Sequence, residues 1–171
     1  MIDAALIALC APTVAPATIQ QIITAESGGD PYALNVNGIG RVVSRTIAAA
    51  ETEAEAAIEA GYSVDIGLMQ INSQHLKRFH LSVRQAFEPC TNLRVGGILL
   101  TASYEDAVRL YGRGQIALQH ALSAYNTGDF QRGLDNGYVA QYYRPNPARL
   151  LKPKPFSGEV APQIAAKRSQ P

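Results

Sequence analysis

The sequence predicts a mostly α-helical fold with at most a small β-hairpin. Several segments repeat apolar residues every three or four positions, which is the spacing of the buried face of a helix. Glycine and proline residues lie at the ends of these segments, where helices begin or end. With 171 residues, the chain is long enough for one domain with a hydrophobic core.

The first predicted helix covers residues 16–27. It begins at a proline, which favours the first turn of a helix, and it ends before a pair of glycines. Its apolar face carries Ile19, Ile22 and Ile23. Three positions after Ile23, the same face presents Glu26.

The remaining elements follow in order along the chain. Residues 35–41 are rich in turn signals and form a hairpin or a loop. A helix rich in alanine and glutamate covers 46–60, and 62–72 is an extended or looping segment. Further helices are predicted at 73–79, 93–110, 115–125 and 138–143. The core candidates of the long helix are Val95, Ile98, Leu99, Ala102, Ala107 and Leu110.

Charge is distributed unevenly along the chain. Lys and Arg number 15 and Asp and Glu 14, which gives a formal net charge of +1. From Arg144 onward, six basic residues against one acidic residue give +5, which leaves −4 for residues 1–143. An acidic domain argues against nucleic acid as its ligand, since duplex binding needs a basic face. The longest apolar run, residues 4–9, is far shorter than the roughly 20 residues of a membrane-spanning helix.

Composition divides the chain into three parts. Residues 1–9 are an apolar segment without Lys or Arg, interpreted as a degenerate remnant of an export signal unless the signal itself has been removed. Residues 10–144 are the domain. Residues 145–171 form a Pro-rich basic tail that is predicted to be disordered. Such a tail is either solvated chain without a role or a segment that recruits partners.

The chain has two cysteines, Cys10 and Cys90. An even count fits one disulfide in an oxidising compartment, and two buried free thiols fit the composition about equally well. The three histidines, His75, His80 and His120, are scattered, and they do not share a metal-ligand spacing with the cysteines. The sequence therefore predicts no metal site.

Glu26 is the first candidate for chemistry. A carboxylate in the last turn of a helix meets the partial negative charge of the helix C-terminus, and burial on an apolar face disfavours the ionised form further. Both effects raise its pKa, and a general acid needs a raised pKa to be protonated near neutral pH. The alternative is a surface glutamate that points to water, which is the more common case for such a residue taken alone.

The segment 65–72 offers a second group of candidates. Gln70 and Asn72 alternate with apolar residues, so on an extended segment both amides point the same way. Two amides suit the hydroxyl and N-acetyl groups of a sugar, and Gly67 lets the backbone approach a ligand closely. The alternative is a half-buried strand with polar edges.

Two tyrosine-bearing segments complete the candidates. Tyr125 and Asn126 lie at the end of a predicted helix, where a tyrosine hydroxyl can stand beside a carboxylate. An ordinary helix cap is the alternative there. Tyr138 lies near Tyr142 and Tyr143, and the rings of such a group either stack on sugars or pack in the core.

Together, four segments in this order resemble the soluble lytic transglycosylase family, which is related in fold to goose-type lysozyme. Residues 26–31, Glu-Ser-Gly-Gly-Asp-Pro, are similar to the family's catalytic Glu-Ser segment, and residues 67–72 are similar to its Gly-Leu-Met-Gln motif. Residues 124–128 resemble its Ala-Tyr-Asn-x-Gly motif, and residues 137–139 its final Tyr-Val element. The resemblance covers roughly residues 10–143 and implies a lysozyme-like fold.

The insert after the first motif, and the segment 88–93 with its Glu-Pro-Cys, resemble the subgroup that accompanies type IV secretion and conjugation machines. In that subgroup the cysteine after this proline pairs with one just before the first helix, so the resemblance implies a Cys10–Cys90 disulfide. It further implies a periplasmic location and no cofactor or metal. The implied partners are peptidoglycan glycan strands and subunits of a secretion or conjugation apparatus.

The resemblance also implies a reaction. The bond between N-acetylmuramic acid and N-acetylglucosamine is cleaved without net water and leaves 1,6-anhydro ends, with Glu26 as the single acid and base. Tyr125 is the expected hydroxyl beside Glu26. The residues implied to line the substrate cleft are Ser27, Gly67, Met69, Gln70, Asn72, Tyr125, Asn126 and Tyr138.

Two other functions remain open on the sequence. Ordinary glycosidases use two carboxylates, so Asp65 as a second carboxylate makes the chain a hydrolytic lysozyme. Alternatively, the chain is an inactive glycan-binding or assembly module of a secretion apparatus, and the basic tail is the feature that motivates this hypothesis.

Overall fold

The computed structural model describes residues 2–143, which are mostly α-helical, as predicted. The helices are α1 (Ala4–Cys10), α2 (Pro16–Glu26), α3 (Ile47–Glu59), α4 (Leu76–Phe79), α5 (Val83–Phe87), α6 (Pro89–Tyr111), α7 (Gln115–Thr127) and α8 (Arg132–Asp135). Two 3₁₀ helices cover Ser73–His75 and Val139–Tyr143. Within 2–143, no helix has both the length and the apolar character needed to cross a membrane. The predicted tail, 145–171, lies outside the described residues.

A small antiparallel sheet lies between the helices. Its strands are β1 (Leu34–Val36), β2 (Gly40–Val42), β3 (Val64–Ile66) and β4 (Ile71–Asn72), in the order β2-β1-β3-β4. The first two form the predicted hairpin, and the other two extend it to four strands. Strands of two or three residues are too short to show the alternation by which a sequence reveals a strand. The register places Asp65 opposite Asn35 on one side and opposite Asn72 on the other.

Two hydrophobic clusters hold these elements together. The larger one includes α1, α2, α6 and α7, and the smaller one lies among the sheet, α3 and α5. Ile22 and Ile23 are fully buried in the larger cluster. Burial of one isoleucine side chain contributes about 1.5–3 kcal/mol, so α2 is held firmly against the core up to its last turn.

The buried face of α6 agrees only in part with the predicted one, since Val95 and Ala107 are buried as predicted. The prediction that Ile98 belongs to the core is wrong, because this residue is 43% exposed. The helix also buries Leu93, Gly97 and Leu100 at helical spacing. At Gly97 an added Cβ would lie 3.0 Å from the Cβ of Ala11. A glycine allows this close packing but carries no apolar signal, so the sequence pattern did not identify this position as buried.

Helix α1 packs on the rest of the fold, although the sequence alone assigned most of it to a signal remnant. The Asp3 carboxylate caps its first turn by accepting the Ala5 N–H at 2.9 Å. Ile7 and Cys10 are buried in the larger cluster. A disulfide joins Cys10 to Cys90 of α6, so the pairing that the resemblance implied is confirmed.

Candidate active site

Glu26 is the last residue of α2, and its side chain is partly buried. Burial is the main influence on its pKa and raises it above the usual 4.5. The hydroxyl of Tyr138 lowers the pKa by donating to the carboxylate, the negative charge of Asp65 raises it, and the hydroxyl of Tyr142, which donates to Tyr138, lowers it. The net effect is a raised pKa, so this carboxyl group holds its proton more firmly than an exposed glutamate does.

The residue after Glu26 fixes the end of the helix. Ser27 is buried, and its N–H and hydroxyl both donate to the carbonyl of Ile23, each at 3.0 Å. The same hydroxyl accepts the N–H of Gly29 at 3.1 Å. The resemblance implied that Ser27 lines the substrate cleft, but in the structure its hydroxyl bonds the backbone on either side of Glu26.

The β1–β2 hairpin also contacts the end of α2. Arg41 donates to the carbonyl of Ser27 at 3.3 Å and lies 3.5 Å from the carboxylate of Asp30. An arginine near the last carbonyls of a helix compensates their partial negative charge. This contact ties the sheet to the segment that carries Glu26.

Two tyrosines near the end of the described chain, Tyr138 and Tyr142, form a hydrogen-bonded chain to Glu26. The hydroxyl of Tyr138 donates to Oε1 of Glu26, and the hydroxyl of Tyr142 donates to the hydroxyl of Tyr138. Burial and the nearby carboxyl of Glu26 raise the pKa of both phenols, so both stay protonated and remain donors. The sequence did not single out Tyr142, although its spacing of four residues from Tyr138 places both on one helical face.

Tyr125, the tyrosine whose hydroxyl was expected beside Glu26, makes its hydrogen bond to another group. Its hydroxyl donates to the backbone carbonyl of Met69 at 2.8 Å. The hydroxyl that is hydrogen-bonded to Glu26 is therefore that of Tyr138, the residue just before the 3₁₀ helix Val139–Tyr143, and not that of Tyr125. Tyr125 still lies near the site, since burial and then the charge of Glu26 raise its pKa.

Asp65 occupies the neighbouring strand and is held by two amides. Its Oδ1 accepts from Nδ2 of Asn72 at 2.7 Å, and its Oδ2 accepts from Nδ2 of Asn35 at 3.3 Å. The strand register aligns the three side chains across β1, β3 and β4. Asp65 lies close enough to Glu26 for its negative charge to raise the pKa of that carboxyl.

Gln70 lies in a turn rather than on an extended strand. The backbone turns at residues 67–70, where Gln70 adopts a φ of 48°. Its Nε2 donates to the carbonyls of Gly67 at 2.9 Å and Ala33 at 3.2 Å. The prediction that Gln70 and Asn72 lie on one extended segment is therefore wrong, because Gln70 lies in this turn and Asn72 lies in β4.

Gly67 leaves room for the buried side chain of Asn92. Its φ of 73° favours glycine, and an added Cβ would lie 2.6 Å from Nδ2 of Asn92. Asn92 accepts the N–H of Met69 and donates to the carbonyls of Ile66 and Ala86, all at 2.8 Å. Sequence reasoning missed this buried amide, and its one signal was a polar residue on the apolar face of α6.

The predicted cleft residues therefore differ in accessibility. Ser27, Gly67 and Met69 are buried, whereas Asn126 is exposed in the last turn of α7. Gln70, Asn72, Tyr125 and Tyr138 are partly exposed. Across the described part of the chain, no three His, Cys, Asp or Glu side chains gather as a metal site requires.

Comparison with known proteins gives a family match. The family model described as "Transglycosylase SLT domain" matches residues 3–143. The chain is 41% identical over 131 residues to the protein virB1 of Agrobacterium fabrum, which covers 76% of this chain and 53% of that protein. It is 39% identical over 127 residues to the type IV secretion system protein virB1 of Brucella abortus, which covers 72% of this chain and 53% of that protein.

The chain thus spans about half the length of the curated relatives it matches. A more distant relative, the uncharacterized protein y4dP of Sinorhizobium fredii, is 29% identical over 142 residues, or 77% of this chain and 71% of that protein. No solved structure matches the chain significantly.

Proposed function

The chain belongs to the transglycosylase SLT domain family, and on this premise we propose that it is a lytic transglycosylase acting on bacterial peptidoglycan. The bond cleaved is the β-1,4 bond between N-acetylmuramic acid and N-acetylglucosamine. One observation carries the proposal: Glu26 is a partly buried carboxyl with a raised pKa and a tyrosine donor on one oxygen. Such a group can give a proton and then take one back.

The reaction has two proton transfers at Glu26. The protonated carboxyl first donates to the oxygen that links the two sugars, and the bond from that oxygen to the anomeric carbon of N-acetylmuramic acid breaks. The ionised carboxylate then takes the proton of the muramyl C6 hydroxyl, whose oxygen bonds to the anomeric carbon. The products are a free N-acetylglucosamine end and a 1,6-anhydro ring, Glu26 is again protonated, and no water is consumed.

The environment of Glu26 supports both roles. Burial and the charge of Asp65 favour the protonated form that begins the reaction. The donor hydroxyl of Tyr138 favours the ionised form that completes it. A group whose protonated and ionised forms are both supported can act first as an acid and then as a base.

We propose that substrate contacts come from the side chains that remain accessible near Glu26. Gln70, Asn72 and Asn126 offer amide donors and acceptors for sugar hydroxyl and N-acetyl groups. Tyr125 and Tyr138 offer ring edges along the same region. Ser27, Gly67 and Met69 are buried, and in this proposal they fix the backbone that carries the accessible side chains.

A hydrolytic lysozyme is the second candidate, and the position of Asp65 favours it. Asp65 is close enough to Glu26 to raise its pKa, as the second carboxylate of a glycosidase would be. Against this role, both Asp65 oxygens already accept amide hydrogen bonds from Asn72 and Asn35. These bonds support a structural and electrostatic role for Asp65.

We propose that cleavage opens the periplasmic cell wall for a type IV secretion or conjugation apparatus. The relatives named virB1 support this role, one of them by its name as a type IV secretion system protein. The Cys10–Cys90 disulfide supports export, because such bonds persist in oxidising compartments. In this proposal residues 10–144 carry the activity, and the basic tail 145–171 recruits apparatus subunits.

The test is a product analysis. Purified peptidoglycan is digested with the full chain, with Glu26→Gln and with the control Glu59→Gln, and the released muropeptides are identified by mass spectrometry. Glu59 is a matched control because it is also the last residue of a helix but is exposed. We expect anhydro-muropeptides from the parent and the control, and none from Glu26→Gln.

Other outcomes separate the alternatives. Reducing products one water heavier would establish a lysozyme and direct attention to Asp65. Absence of products from a folded, disulfide-bonded parent would contradict enzymatic activity and support the assembly module. A chain ending at Tyr143 that still cleaves peptidoglycan but no longer binds the apparatus would assign the tail to partner binding.

A further inference from the structure

Tyr142 is the one member of the tyrosine chain that the proposed mechanism does not use. Its side chain is only 6% exposed, so it is shielded from a substrate in the cleft. Its hydroxyl nevertheless donates to Tyr138, the direct partner of Glu26. A buried hydroxyl with this connection to a reacting group calls for a role of its own.

We propose that Tyr142 is a positioning residue: by donating to Tyr138, it holds the Tyr138 proton on Glu26 and supports the ionised form of Glu26 in the second half of the reaction. The inference rests on the proposed function and deepens it. It identifies the part of the site that lets a single carboxyl serve as base after it has served as acid.

The argument begins with the hydrogen-bonding capacity of a phenol. A tyrosine hydroxyl has one proton to donate and lone pairs to accept with. Because Tyr142 fills an acceptor position of Tyr138, the Tyr138 proton remains free for Oε1 of Glu26. Hydrogen bonds in such a chain polarise one another, so a donor from Tyr142 makes Tyr138 a stronger donor.

The electrostatic surroundings make this contribution necessary. Burial and the carboxylate of Asp65 on β3 both oppose ionisation of Glu26, and Tyr125 of α7 donates its proton to Met69 instead. Arg41 of β2, the cation at the end of α2, pairs with Asp30. The two hydroxyls of Tyr138 and Tyr142 are therefore the groups acting on Glu26 that lower its pKa.

The packing of the 3₁₀ helix Val139–Tyr143 keeps this chain in place. The Tyr138 and Tyr142 rings meet edge to face, with centroids 5.3 Å apart and planes inclined by 72°. Tyr142 and Val139 are buried in the larger cluster. Tyr143, the next residue, donates to Oε1 of Gln115 at 3.4 Å rather than to the tyrosine chain, so it provides a matched control.

The first measurement needs no substrate. The ¹³C resonance of the Glu26 side-chain carboxyl carbon is followed against pH in the full chain and assigned by its loss in Glu26→Gln. Tyr142→Phe removes only the hydroxyl, so the Glu26 titration should move to higher pH. It should move further in Tyr138→Phe and stay in place in Tyr143→Phe. An unchanged titration in Tyr142→Phe, or an equal shift in Tyr143→Phe, would overturn the proposal.

The second measurement follows the kinetics on peptidoglycan. Since Tyr142 does not reach the substrate, Tyr142→Phe should lower kcat by roughly fivefold, the worth of one ordinary hydrogen bond, and leave KM unchanged. The alkaline limb of the plot of kcat against pH should move to higher pH, because Glu26 stays protonated to higher pH. A changed KM with an unchanged kcat would contradict a positioning role.

A second variant covers the case in which Tyr142→Phe folds poorly. Incorporation of 3-fluorotyrosine at position 142 keeps the hydroxyl but makes it more acidic and a stronger donor. The Glu26 titration should then move to lower pH, opposite in sign to the phenylalanine variant, and a shift in the same direction would refute the mechanism. Because the titrations are recorded without peptidoglycan, they test the tyrosine chain separately from the enzymatic activity.

Discussion

The hydroxyl of Tyr138 donates a hydrogen bond to Oε1 of Glu26 across a sequence separation of 112 residues. The carboxyl comes from the end of α2, and the hydroxyl comes from the residue just before the 3₁₀ helix Val139–Tyr143. Neither element forms the site alone. The state of Glu26 therefore depends on how the last described helix packs against α2.

The raised pKa of Glu26 predicts a pH-dependent cost in stability. A carboxyl with a higher pKa in the folded than in the unfolded state binds more protons when folded, so stability decreases as pH rises from about 4.5 through the folded-state pKa. Glu26→Gln removes the charge but keeps an oxygen acceptor for Tyr138. We expect it to stabilise the protein at pH 8 by on the order of 1 kcal/mol, with the gain disappearing at pH 4.

Urea unfolding at the two pH values measures this difference. Glu59→Gln, at the exposed end of α3, should show no comparable gain at pH 8. Equal stability changes for Glu26→Gln at pH 4 and pH 8 would contradict the raised pKa.

The contact between Gly67 and Asn92 predicts that an added methyl group at Gly67 is costly. Gly67→Ala meets both an unfavourable φ of 73° and the Asn92 amide at 2.6 Å. Gly61→Ala is a matched control, since its φ is 89° and nothing lies within 4 Å of the added Cβ. Backbone strain alone costs about 1–2 kcal/mol, so we expect Gly61→Ala to lose about 1 kcal/mol and Gly67→Ala roughly 3 kcal/mol or more.

Chemical unfolding of the two glycine variants separates the free-energy cost of the contact with Asn92 from the cost of backbone strain. Similar losses at both positions would show that Asn92 moves aside easily. In that case the amide would not be the rigid support of the 67–70 turn that its three hydrogen bonds indicate.

The disulfide between Cys10 and Cys90 predicts a large loss of stability when it is removed. The bond closes a loop with a sequence separation of 80, and the chain-entropy model gives about 4.5 kcal/mol for a loop of this size. The paired change Cys10→Ser with Cys90→Ser should therefore lower Tm markedly, as measured by circular dichroism. Reductant should lower the Tm of the parent to a similar extent and leave the double variant unchanged, and a reductant effect on the double variant would point to another cause.

Part of the fold could be predicted because it depends on local patterns. The isoleucines of α2 and the alanines of α3 repeat at helical spacing, and glycines mark the ends of these helices. The short helices α5 and α8 went unpredicted, since four or five residues hold barely one turn of any pattern. Strands β3 and β4 were unpredicted as sheet strands for the same reason.

The sequence by itself determined the helical class, the four family motifs, the two cysteines and the position of Glu26 on the face of α2 that points to the core. These features depend on residue type and spacing within single segments. Tertiary structure alone decided that Tyr138, rather than Tyr125, donates to Glu26, that Asn92 supports the 67–70 turn, and that Tyr142 stands behind Tyr138. Such contacts join residues far apart in the chain, and their geometry is set by how the helices pack against one another, which no local periodicity encodes.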